Sequence, residues 1–191
     1  MVRIAAIAGS VRSGSYNMML AQTARKRLEA HGAVVTWIDL ASFDLPLYST
    51  AIEGERFPVD AQRLKALLVE QDGVLFTSPE YNGSVSPLLK NALDWASRPT
   101  GEEGMVALTA YRGKAAAIMS ASLSPFGGLR GLMHLRQILT TVQMLVIPDQ
   151  VVVPSAHLAF DDNGNLKDSL PASLVDFTAA RLVKVAGALA S

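Results

Sequence analysis

The chain has no cysteine among its 191 residues. That excludes disulfides, thiolate catalysis, Cys-ligated zinc and iron–sulfur clusters. Charge is also scarce: 18% of residues are charged, and 17 basic residues balance 17 acidic ones. A zero formal balance gives no overall electrostatic pull toward nucleic acid or an anionic membrane, so neither is expected as a partner. It also leaves self-repulsion low, which permits an oligomer. Histidine occurs only at His31, His134 and His157, and none is spaced with carboxylates as a metal ligand set would be, so no metal site is expected. Long hydrophobic runs are missing too. No stretch approaches the roughly 18 apolar residues of a spanning helix. The run at residues 4–8 is too short for the apolar region of a signal peptide. A soluble, cytoplasmic protein is the expectation.

What is plentiful is apolar surface: 50% of residues are hydrophobic, enough to build a sizeable core. The length suits one domain spanning residues 1–191. Short apolar runs alternate with longer helical periods. Strands are expected at 3–8, 34–38, 73–78 and 114–119, the last ambiguous with helix because of its alanines. A fifth is expected at 144–147 and 151–153, broken near Pro148. Helices are expected from Ser15 or Asn17 to about His31, over 59–71, from Ser86-Pro87 to about Arg98, from Gly127-Gly128 to about Val142, and over 170–189. Strands separated by helices imply βαβ units and an α/β fold with a five-stranded parallel sheet. The segment 97–113 is expected to be the most mobile loop, because Gly101, Glu102, Glu103 and Gly104 offer little to bury.

Ligands of open α/β sheets bind beyond the carboxyl ends of the strands. The loop at residues 9–17, Gly-Ser-Val-Arg-Ser-Gly-Ser-Tyr-Asn, leads into a helix. Glycines, hydroxyls and one Arg at a helix start make an anion site, with Ser10, Ser15 and Asn17 as donors and Arg12 as the charge. The spacing matches neither the dinucleotide fingerprint nor a Walker A loop. An ordinary βα turn is the alternative. The second loop is Ser78-Pro79-Glu80-Tyr81-Asn82-Gly83-Ser84. The flat face of Tyr81, with Glu80, Asn82 and main-chain polar groups, suits a planar heteroaromatic ligand. A surface turn is the alternative. The third, residues 120–128, could add main-chain and hydroxyl contacts but is weak alone.

Taken together these segments resemble the NAD(P)H-dependent FMN reductase family. The resemblance rests on Gly-Ser-x-Arg-x-x-Ser-x-Asn at 9–17 and Pro-Glu-Tyr-Asn-Gly-Ser at 79–84. It continues through Leu-Lys-Asn-Ala-Leu-Asp-Trp at 89–95, Ser-Arg-Pro at 97–99, Gly-Gly-Leu-Arg at 127–130 and His-Leu-Arg-Gln-Ile-Leu at 134–139. It implies a flavodoxin-like three-layer sandwich with strand order 2-1-3-4-5, and bound FMN with NADPH or NADH as electron donor. It also implies small-molecule acceptors such as quinones, azo compounds, metal oxyanions or free flavin, and a homodimer or homotetramer. By the same resemblance Ser10, Arg12, Ser15, Tyr16 and Asn17 belong to the phosphate site. Pro79, Glu80, Tyr81, Asn82 and Gly83 lie against the isoalloxazine, and Ser120, Ala121 and Ser122 near its pyrimidine edge. The family often carries Pro-Gly where this chain has Ser86-Pro87, a departure that preserves a helix start.

Such chemistry needs no general acid or nucleophile from the protein, and no catalytic side chain is expected. Tyr81 is placed to line the nicotinamide or acceptor site. A flavin-binding electron carrier or redox-responsive module without NAD(P)H turnover is the alternative, disfavoured by the neutral net charge. A domain of the same fold that has lost its cofactor is a third reading. Elsewhere ordinary roles are expected. His31 faces solvent at a helix end, and His134 is structural or at an interface. Arg25-Lys26-Arg27 is a solvated helix face. Trp95 packs between its helix and a neighbour. Met18, Met19, Met105, Met119, Met133 and Met144 mostly fill the core.

Overall fold

The computed structural model describes residues 1–104 and 106–190; Met105, read above as core filler, lies outside the described residues. Five strands form the sheet: β1 (Arg3–Ala8), β2 (Val34–Ile38), β3 (Gly73–Thr77), β4 (Ala115–Ala121) and β5 (Leu145–Val153). All neighbouring pairs are parallel and the spatial order is β2-β1-β3-β4-β5, as the resemblance implied. The helices are α1 (Tyr16–Ala30), α2 (Thr50–Glu55), α3 (Val59–Val69), α4 (Pro87–Ser97), α5 (Leu129–Thr141), α6 (Ala156–Ala159) and α7 (Ser169–Leu189).

Alternation along each strand sends side chains to opposite faces. Ala5, Ile7, Val74, Phe76, Ala116 and Ile118 pack against α3, α4 and α5 through Leu64, Leu68, Leu89, Leu93, Leu132 and Leu135. Ile4, Ala6, Leu75, Ala117 and Met119 pack against α1 and α7 through Leu20, Leu28, Val175 and Leu182. Two apolar cores therefore sandwich one sheet. β4 is buried at every residue, so its alanines are read as strand by their neighbours rather than by propensity.

Several expectations need correction or refinement. β5 is one strand, interrupted near Pro148 only by a shift of pairing. It continues through a register shift between Ala116 and Ile118 of β4, and the added length around Pro148 is absorbed on the sheet edge, where a missing N–H costs no ladder bond. β4 runs two residues further than expected, so Ser120 and Ala121 end the strand rather than begin a loop. Met133 is 63% exposed and fills no core. The described residues on either side of Met105 in the segment 97–113 are anchored rather than loose. Glu103 pairs with the buried Lys65 ammonium and accepts from the Thr109 hydroxyl (2.7 Å) and the Thr100 amide (3.0 Å), while Tyr111 is wholly buried.

The long connection after β2 is held by one face of α4. Trp95 is fully buried, donates its indole N–H to the Pro46 carbonyl (2.6 Å), and meets the rings of Tyr48 and Phe57 edge-on. Asn91 accepts from the Tyr48 amide (2.8 Å), and Arg98 pairs with Glu53 of α2 (2.8 Å). Burial pushes the Glu53 carboxyl up. Hydrogen bonds from Arg98 and the Tyr48 hydroxyl outweigh it and hold the group below its ordinary range.

Candidate functional site

The carboxyl ends of β1, β3 and β4 open onto one cleft of about 240 Å³. Each contributes one wall: Ser10 to Asn17 after β1, Pro79 to Tyr81 after β3, and Ala121 to Leu123 at the end of β4. Ser10, Arg12, Ser15, Tyr16, Asn17, Pro79, Glu80, Tyr81, Ala121 and Ser122 are thus brought together from segments more than a hundred residues apart. Asn82, Gly83 and Ser120 do not line the cleft, whereas Leu123, not singled out in the sequence, does.

The first wall is a helix start. Ser15 is the N-cap of α1 and its hydroxyl accepts from the Met18 amide (3.4 Å). The Tyr16 and Asn17 amides of the first turn have no hydrogen-bond partner among the described residues, as helix geometry dictates. They present donors and the positive end of the helix dipole to the cleft. The Arg12 guanidinium is exposed and curls onto its own loop, donating to the Ser13 and Gly14 carbonyls (3.2 Å each).

Buried side-chain ties join the walls. Asn17 donates its amide to the Ala121 carbonyl (2.8 Å) and accepts from the Ala121 N–H (3.0 Å), linking the first wall to the third. The Ser120 hydroxyl donates to the Ser78 carbonyl (2.7 Å), linking the third to the second. The Ser86 hydroxyl donates to the Gly9 carbonyl (2.6 Å) while accepting from the Leu89 amide (3.2 Å), linking the second to the first and capping α4. Sequence reading marked Ser86 only as a cap. The Asn17 and Ser120 side chains, read as ligand donors, are largely committed to these ties.

Two glycines make the closeness possible. A Cβ on Gly128, which has φ +87°, would fall 1.9 Å from the Ser120 hydroxyl oxygen. One on Gly9 would sit 3.0 Å from the Leu89 Cβ.

The second wall ends in a two-residue hairpin. Tyr81 and Ser84 exchange main-chain hydrogen bonds (2.9 and 3.0 Å), and Asn82 and Gly83 take positive φ, as a tight Asn-Gly turn requires. This leaves the Tyr81 ring about half exposed at the cleft rim. The Glu80 side chain turns the other way. It accepts from the Arg130 guanidinium (2.8 Å) and the Gly131 amide (3.2 Å) at the start of α5.

Main-chain amides at a helix start, a hydroxyl-rich turn, a nearby guanidinium and an exposed aromatic rim fit a phosphate joined to a flat ring. With the 2-1-3-4-5 sheet this defines the class of flavodoxin-like α/β proteins. The chain belongs to a particular family within it: the family model of NADPH-dependent FMN reductase matches residues 2–158. The NAD(P)H-dependent FMN reductase of Pseudomonas aeruginosa is 36% identical over 178 residues, covering 91% of this chain and 89% of that protein. A quinone reductase of Pseudomonas putida is 35% identical over 167 residues, covering 86% and 84%. Among solved structures, the flavoenzyme NAD(P)H:(acceptor) oxidoreductase of Paracoccus denitrificans superposes with a TM-score of 0.83 at 26% identity, covering 98% of each chain.

Proposed function

We propose that this protein is an NAD(P)H-dependent flavoprotein reductase acting on small-molecule acceptors, quinones first among them. The observation that carries the reading is the convergence of three sheet-end segments on one cleft with free helix-start amides at its base. Family membership and the quinone-reducing relatives support the acceptor class.

In this reading the phosphate end of FMN rests on the Tyr16 and Asn17 amides and the Ser10 and Ser15 hydroxyls, with Arg12 swinging from its own loop to add charge. The ring lies along the main chain of Pro79 to Tyr81, with Ala121 and Ser122 at its edge, while Asn82, Gly83 and Ser120 shape these walls from outside the cleft. Bound FMN supplies two-electron transfer between nicotinamide and acceptor. The chain's contribution is positional. Asn17, Ser86 and Ser120 hold the walls at fixed separation, Glu80 and Arg130 keep a free carboxylate out of the cleft, and the exposed face of Tyr81 offers a stacking surface to an incoming planar molecule. No proton donor from a side chain is required.

No helix among the described residues is long and apolar enough to cross a membrane. A cytoplasmic homo-oligomer acting as one domain over residues 1–191 is the setting we propose. Purified protein should take up FMN and turn yellow, bleach anaerobically with NADPH or NADH, and regain colour when a quinone is added. Failure to take up FMN refutes the flavin site. Uptake without bleaching favours an electron carrier.

A further inference from the structure

The hairpin carrying Tyr81 is fastened on its outer side to α5 at three successive points. At its start the Glu80 side chain, only 6% exposed, accepts from Arg130 (2.8 Å) and from the Gly131 amide (3.2 Å). Between these ends, Gly131 has no side chain, and a Cβ there would fall 3.1 Å from the Ser84 carbonyl oxygen and 3.4 Å from the Glu80 Cα. At its end the Ser84 hydroxyl lies 3.0 Å from the His134 Nδ1. Arg130 in turn lies over the Phe126 ring, 5.5 Å from its centre. Burial pushes the Glu80 carboxyl up, but the bonds from Arg130 and Gly131 outweigh it and hold it below its ordinary range, so it stays charged at neutral pH.

Glu80 also lines the cleft, but its carboxylate is turned to α5, and Gly131 and His134 are not among the cleft-lining residues. The Arg130 side chain is 61% exposed and does not line the cleft. A two-residue turn whose only internal bonds among the described residues are the Tyr81–Ser84 pair is a soft element. Its position must come from what it leans on.

We infer that Arg130 is a positioning residue: by locking Glu80 it fixes the Tyr81–Ser84 hairpin, and thereby the ring-side grip on the ligand of this cleft. The inference rests on the flavin reading for its ligand, but the clamp itself does not.

The test uses the full chain and two measurements. Hydrogen exchange at the Tyr81 and Ser84 amides, without added flavin, reads the hairpin directly. Fluorescence titration with FMN and with riboflavin separates the ring end from the phosphate end. Arg130→Ala should accelerate exchange at those two amides while leaving β3 unchanged. It should weaken FMN and riboflavin by the same factor, about fivefold, since the lost bond is charged but largely open to water. Glu80→Gln should move both readouts in the same direction by less, and Glu80→Gln with Arg130→Ala together should be no worse than Arg130→Ala alone, because the two side chains act as one unit. Unchanged exchange in Arg130→Ala, unchanged flavin affinity, or additive effects in the double variant would overturn the inference. If the unaltered protein takes up neither flavin, the flavin reading fails, and the exchange measurement still decides whether the clamp holds the hairpin.

Discussion

Asn17 spends its side chain on one peptide unit. Replacing it with Ala leaves the buried N–H and carbonyl of Ala121 without their partners. The expected loss is about 3 kcal/mol in urea unfolding, mostly the cost of unsatisfied buried groups. Gly128→Ala is expected to cost at least as much, about 3 kcal/mol or more, because it combines a positive φ with a Cβ 1.9 Å from the Ser120 hydroxyl oxygen. Ser120→Ala should relieve part of that loss, which a double variant would measure. At this scale the sequence announces capacity but not partner. Ser10, Ser15, Asn17 and Ser120 are legible as hydrogen-bonding residues near strand ends. Whether each faces a ligand or a neighbouring loop depends on strand register, which a sequence states only through its apolar pattern.

Elements were legible where period and punctuation agreed. The apolar run of β1 and the Ser86-Pro87 start of α4 left little choice. α2 was not legible: a six-residue helix with no buried residue has no apolar period to read, and it persists through its Ser49 cap and the Glu53–Arg98 pair. The segment 97–113 misled because its composition is that of a free loop, while the Glu103 carboxylate and the buried Tyr111 hold the described residues around them. Burial pushes the Glu103 carboxyl up, and bonds from Lys65, Thr109 and the Thr100 amide outweigh it, leaving the group below its ordinary value of 4.5. A carboxylate with a lowered folded pKa gives its full stabilisation above that ordinary value and loses it as pH falls through the folded one. The wild-type protein should therefore lose stability in acid below about pH 4.5, and Glu103→Gln, less stable at neutral pH, should show a flatter decline. Melting temperatures of both proteins from pH 7 to pH 3 would check this.

For the molecule as a whole, the parallel α/β sheet was readable because short apolar runs alternate with helical periods along most of the chain, while the sandwich and its strand order came from the resemblance. The resemblance added the ligand, which no periodicity could supply. If FMN binds only the folded chain, the flavin at a hundred times its dissociation constant should add about 2.7 kcal/mol to unfolding. Riboflavin, lacking the phosphate, should need a higher concentration for the same gain. Calorimetric melting with each flavin would measure the difference, and equal curves would argue against the helix-start amides as the phosphate seat.

The seams between the three walls are short bonds between neutral groups, Asn17 to Ala121, Ser120 to Ser78 and Ser86 to Gly9. Dissolved ions weaken attraction between exposed charges and leave buried neutral bonds almost untouched. In concentrated brine the cradle should therefore keep its shape while the Arg12 contribution fades, so that ionic strength tunes how tightly the cofactor is held without altering the vessel that holds it.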